Sequence, residues 1–152
     1  MCYYGKTMLT CFKNIDSINK QIENLIIKKA KASFYGTRSA LAVSQELIDL
    51  GEVRLDLLQL KQITLTALNK LKDEDKMLIK YKYFNILPKI ENFDHTSRNY
   101  FRKQVKALDR FNKALLSLGY DEKWFLDNYL KIPFIKGVYH KTIKEEGKKH
   151  AE

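Results

Sequence analysis

Apolar residues in this chain recur every three or four positions and almost nowhere every second one. Ile15, Ile18, Ile22, Leu25 and Ile26 keep that spacing and predict a first helix over about 15–33. The stretch FYGTRS interrupts it at Gly36. Thr37 is placed to cap a second helix reaching about Asp49, and Gly51 ends that one. A strongly apolar helix follows near 53–71, with Leu57, Leu58, Leu65, Leu68 and Leu71.

In KLKDEDKMLIKYKYF, Asp73 suits an N-cap, and Glu74 and Asp75 put negative charge in a first turn, where the helix dipole favours it. Met77, Leu78, Tyr81 and Phe84 form the expected apolar stripe. The next stretch, NILPKIENFDH, holds Pro88 and turn formers, leaving room for at most a short helix between Pro88 and Asn92. A long helix is then predicted from Thr96 to just before Gly119, a residue suited to a C-cap. A shorter one, DEKWFLDNYL, starts at Asp121, and its Trp124, Phe125 and Tyr129, with Phe134 beyond, are expected to clamp the preceding helices, a partner-docking surface being the alternative. After Pro133 the lysine-rich KGVYHKTIKEEGKKHAE reads as a mobile tail. The class is all-α: a helical bundle with a helix-turn-helix-like segment toward its C-terminal end. Three regions are expected, an N-terminal helical one at 1–72, a basic one at 73–119, and a short aromatic helix with its tail at 120–152.

Charge sharpens this picture. The 152 residues carry 28 lysines and arginines against 18 acids, a net charge of +10, and the pI is about 9.5. That balance favours a polyanionic partner, although lysine-rich surfaces also arise without one. The two cysteines, Cys2 and Cys11, lack ligands at zinc spacing and are too few for a disulfide scaffold, so a reduced, cytoplasmic setting is expected. The opening MCYYGKTMLTCFKNI does not read as a signal peptide, and no apolar run has membrane-spanning length.

The basic helix is where the charge concentrates. Advancing about 100° per residue from Arg98 puts Arg98, Asn99, Arg102, Lys103, Lys106, Arg110 and Lys113 in one wedge of about 140°. Ala114, Ala107, Tyr100, Leu118, Phe111, Leu115, Leu108 and Phe101 take the opposite side, with Val105 at the border and Gln104 a polar intruder. An ordinary solvated face mixes signs at i,i+4. This one has six cations against Asp109, a net of +5, and no glutamate. With Thr96 as cap, Ser97, Arg98 and Asn99 fall in the first turn, whose side chains reach base edges when a recognition helix enters the major groove. Arginine pairs with guanine and asparagine with adenine. Thr96, Ser97, Arg98, Asn99, Arg102, Lys103, Lys106, Arg110 and Lys113 are therefore the candidate DNA-contacting residues.

The stretch ALNKLKDEDKMLIKYKYFN, followed by TSRNYFRKQVKALDRFNKALLSLG, resembles the helix-turn-helix of sigma factor region 4. It looks more like the small phage and prophage late-gene regulators of the RinA and ArpU type. Leu71, Asp73, Glu74, Leu78, Ile79, Tyr83 and Phe84 match the first part of that pattern. Thr96, Arg98, Arg102, Lys106, Ala107 and Leu108 match the second. The resemblance covers about 67–119 and departs from the family at the scanning helix, where the NILPKIENFD stretch is short and holds a proline. It implies transcription regulation on double-stranded DNA in a mobile element, with RNA polymerase as a further partner.

Other chemistry is thinly represented. His95, His140 and His150 have no nucleophile or carboxylate at a catalytic spacing, and there is no glycine-rich phosphate loop. No enzymatic activity, cofactor or metal is expected. The long apolar helices at 15–33 and 53–71 lead to the expectation of a homodimer. Two alternatives to a regulator remain open: a small terminase subunit for DNA packaging, and a helical module whose cations meet an acidic protein.

Overall fold

The computed structural model describes residues 3–36, 39–88 and 96–151, and among them there are six helices and no strand. The helices are α1 (Tyr3–Phe34), α2 (Ala40–Asn69), α3 (Asp73–Phe84), α4 (Arg98–Ser117), α5 (Glu122–Tyr129) and α6 (Pro133–Ala151). The all-α class is thus observed. The expected Thr37 cap lies outside the described residues.

The chain divides into two compact units, one of residues 14–62 and one of residues 1–13 with 63–152, so α1 and α2 contribute to both. The 14–62 unit is a helical hairpin. Its interior is built from Ile15 and Asn19 of α1 and Val43, Leu57 and Leu60 of α2. Asp16 pairs with Lys61 at 2.8 Å and Glu46 with Lys29 at 2.8 Å across the hairpin. Asn19 is a misfit there: it is buried, yet neither its amide nitrogen nor its oxygen has a hydrogen-bond partner.

In the larger unit the N-terminal turns of α1 supply Tyr4, Met8, Leu9 and Cys11 to the core. They meet Ala67 and Leu68 of α2, Leu78, Ile79 and Tyr83 of α3, Phe111 and Leu115 of α4, Phe125 and Tyr129 of α5, and Ile135 and Tyr139 of α6. Gly5 marks the close approach of α1 to α4, since a Cβ built there would lie 1.8 Å from Asn112 Oδ1. The Phe125 ring lies 5.9 Å from that of Tyr4 and 5.8 Å from that of Tyr139. The Tyr4 hydroxyl donates to the carbonyl of Tyr120 at 2.8 Å. Of the four aromatics expected to clamp the helices, Phe125 and Tyr129 are buried, whereas Trp124 and Phe134 are half-buried.

Several local expectations are corrected. Gly51 does not end a helix: α2 is continuous from Ala40 to Asn69. A helical glycine costs only about 1 kcal/mol relative to alanine, and apolar residues on both sides of it keep the helix docked. The first helix starts near Tyr3 instead of residue 15. Lys72, not Asp73, occupies the N-cap of α3, without a side-chain cap, and the three acids Asp73, Glu74 and Asp75 fill the first turn. The buried stripe of α3 is Asp75, Leu78, Ile79 and Tyr83. Met77, Tyr81 and Phe84 from the expected stripe are half-buried. The presumed tail is α6. Pro133 holds its first position, where a missing N–H costs nothing, and Ile135, Tyr139 and Thr142 are buried at spacings of four and three. Glu146, near its end, accepts a hydrogen bond from Lys6 of α1.

Candidate nucleic-acid interface

Helix α4 is positioned by its ends and by one polar tie. Ser97, rather than Thr96, is its N-cap, accepting a hydrogen bond from the Tyr100 N–H at 3.1 Å. Arg98 and Asn99 therefore open the helix, with Thr96 exposed before it. At the far end Gly119 takes φ +90°. The Tyr120 N–H returns to the Leu115 carbonyl at 3.0 Å and that of Gly119 to Leu116 at 3.0 Å, a Schellman closure that needs a residue free to be left-handed. Gln104, the intruder on the apolar side, is buried and donates to the Leu78 carbonyl of α3 at 2.6 Å and to the Tyr100 hydroxyl at 3.0 Å. Its amide nitrogen, with both donors used, joins α4 to α3.

The cation stripe splits into two kinds of residue. Lys103 donates to Glu74 at 2.7 Å. Arg110 places Nη1 2.8 and 3.0 Å from the two oxygens of Asp75, and Lys113 pairs with Asp109 at 2.9 Å. The Lys103 ammonium, through its hydrogen bond first and its charge second, holds the Glu74 carboxyl below its usual value. The first turn of α3 thus supplies the acids for Lys103 and Arg110, and Asp109 of α4 itself the one for Lys113. Arg98, Asn99, Arg102 and Lys106 remain exposed, with no ion pair or side-chain hydrogen bond among the described residues. Arg98, Arg102 and Lys106 stand at i, i+4 and i+8, so they span about 12 Å of helix.

Phe101, expected on the apolar side, is 59% exposed, and Val105, at the border of that side, is 70% exposed. The core contacts of α4 run through Gln104, Ala107, Phe111, Ala114 and Leu115, so its first two turns project further than the helical wheel suggested. At the opposite end Arg110, Lys113, Asp75, Lys70 and Lys72 line an open groove. Lys70 and Lys72 were missed in the sequence because they stand in the short turn before α3. Their only signal was the alternation KLKDEDK.

The net charge follows the division of the chain. Residues 1–13 and 63–152 hold 21 lysines and arginines against 12 acids, a net of +9, while 14–62 holds 7 against 6, a net of +1. The segment 85–88 before the interface is not helical, and Asn85 is left-handed at φ +56°. The expected short helix after Pro88, and His95, fall at 89–95, outside the described residues. No helix among the described residues is long and apolar enough to cross a membrane, and none of their His, Cys, Asp and Glu side chains gather into a group of three fit for a metal. No family model matches the chain, and no curated protein or solved structure is significantly similar to it.

Proposed function

We propose that this chain binds double-stranded DNA sequence-specifically, without catalytic chemistry, by laying the first turns of α4 in the major groove. The observation that carries this reading is the division of labour along α4. Among the described residues Arg98, Asn99, Arg102 and Lys106 of its N-terminal half stay exposed without an ion pair, while Lys103 between them, and Arg110 and Lys113 further along, hold acids of the same unit. Arg98 and Asn99 suit guanine and adenine edges, and Arg102 and Lys106 suit flanking phosphates. Phe101 and Val105 offer apolar contact of the kind that meets a thymine methyl. The net +9 of the surrounding unit supports long-range attraction to a polyanion. The resemblance to RinA- and ArpU-type regulators supports placing this binding in transcription regulation of a mobile element, with RNA polymerase a further partner.

A second reading is favoured by the same exposed Phe101 and Val105. An apolar strip beside three free cations also fits a helix-binding groove on an acidic protein. Selection of bound sequences from a random duplex pool, followed by titration of the selected and a scrambled duplex, separates the two. DNA binding predicts an enriched motif, and Arg98→Ala should cost about 1–3 kcal/mol on that motif and much less on the scramble. Absence of any retention on duplex DNA at moderate salt refutes the proposal and leaves the protein-binding reading standing.

A further inference from the structure

Helix α2 carries two apolar seams within the 14–62 unit, and only one of them is covered there. The covered seam, with Val43 and Leu57 buried and Leu47 and Leu50 half-buried, faces α1. The other consists of Leu41, Ile48 and Leu55 at intervals of seven, with Ser44, Gly51 and Leu58 each three residues later. Leu41 is 83% and Leu55 67% exposed, and Ile48 and Leu58 are exposed as well. This seam borders an open groove whose far wall is Ile26 of α1. Two successive intervals of seven keep Leu41, Ile48 and Leu55 on one stripe of the helix, the spacing by which two helices pack side by side. Gly51 fits the same pattern, because a Cβ there would meet nothing within 4 Å. Neither close packing within the unit nor left-handed backbone requires a glycine at this position.

We propose that a second copy of this chain covers the seam, its α2 running antiparallel to the first about a twofold axis between Asp49 and Leu50. The order of side-chain sizes selects this occupant. In an antiparallel pair centred there, Leu41 meets Leu58 of the other copy, Ser44 meets Leu55, and Ile48 meets Gly51. Each small residue receives a large one, and a twofold interface requires such self-complementarity. A parallel in-register pair would instead oppose glycine to glycine and serine to serine, leaving two voids in the seam. Along the flanks of the antiparallel pair Glu52 comes opposite Gln45 and Arg54 opposite Leu47, so no like charges meet. The interface belongs to the 14–62 unit and does not rest on what α4 binds.

The test uses the full chain without DNA. Sedimentation equilibrium should give a dimer at micromolar concentration. Leu55→Lys and Ile48→Lys, both at exposed positions and checked for unchanged helicity, should each weaken association at least a hundredfold, because the twofold removes the contact twice. Orientation is read from single cysteines in a Cys2→Ser background, Cys11 being buried. Two copies of residue 48 are offset by about 4.5 Å along an antiparallel pair, and two copies of residue 41 by about 26 Å. A short bismaleimide should therefore join Ile48→Cys protomers and fail to join Leu41→Cys protomers. A monomer at tens of micromolar, a dimer indifferent to both lysine variants, or cross-linking through position 41 would each overturn the proposal.

Discussion

Replacing Arg110 with alanine removes the one cation within ion-pair distance of Asp75 among the described residues, and the consequence should appear in folding before it appears in binding. Asp75 is 3% exposed. Both of its oxygens lie within 3.0 Å of the guanidinium. The gross attraction of two charges at that distance is about 6 kcal/mol at an effective dielectric of about 20, and most of it is offset by the desolvation of the carboxylate. Stranding a buried charge by deleting its partner costs about 3–5 kcal/mol when both groups are buried. The Arg110 side chain is 49% exposed, so water reaches the pair, and about 2–3 kcal/mol is the discounted expectation. For a chain of this length that lowers Tm by roughly 4–12 °C. Arg102→Ala, at an exposed residue without an ion pair, should stay within about 0.5 kcal/mol of the parent. The assay is thermal and urea unfolding followed by circular dichroism, with Asp75→Asn/Arg110→Met as the compensated control that regains part of the loss. If Arg110→Ala leaves Tm within about 1 °C while weakening DNA binding as Arg98→Ala does, then Arg110 belongs to the interface and its assignment to the α3–α4 joint is wrong.

Asn19→Leu should stabilise the protein by about 1–3 kcal/mol, since the amide it removes is buried without a partner; a lower urea midpoint would show that the amide is satisfied in solution. Glu74 and Glu146 both have carboxyls held below the ordinary value, chiefly by hydrogen bonds from Lys103 and Lys6. Their contribution is therefore full above about pH 4.5 and is lost as pH falls through the lowered folded values, and Glu146→Gln should flatten the acid limb of a Tm-against-pH profile. Burial pushes the Cys11 thiol up to about 12, so native protein at pH 8 should leave Cys11 unalkylated by iodoacetamide until denaturant is added. Deleting 137–152 should lower Tm steeply, because Tyr139 and Thr142 leave the core with it; a truncated chain with unchanged Tm would show that α6 is dispensable.

Local pattern was enough to determine that this chain is helical and where most helices lie. Spacing of three and four is a property of neighbours in sequence, and so are the Gly119 closure and the amphipathic division of α4. Continuity through Gly51 was not legible, because a glycine's cost of about 1 kcal/mol is outweighed by packing on both sides that only the fold supplies. Helix α6 was hidden for a related reason. Its stripe of Ile135, Tyr139 and Thr142 is short and interrupted by lysines, and it becomes a core face only when Phe125 and the start of α1 are brought to it. The stripe of α4 shows the same limit at the candidate site. Composition identified six cations on one helix face, but Coulomb interactions act through space. Folding α3 against α4 brings Glu74 to Lys103 and Asp75 to Arg110, partners 29 and 35 residues apart. Only Lys113, with Asp109 four residues before it, has a partner that local spacing supplies; for the other cations tertiary structure decides which remain without an acid.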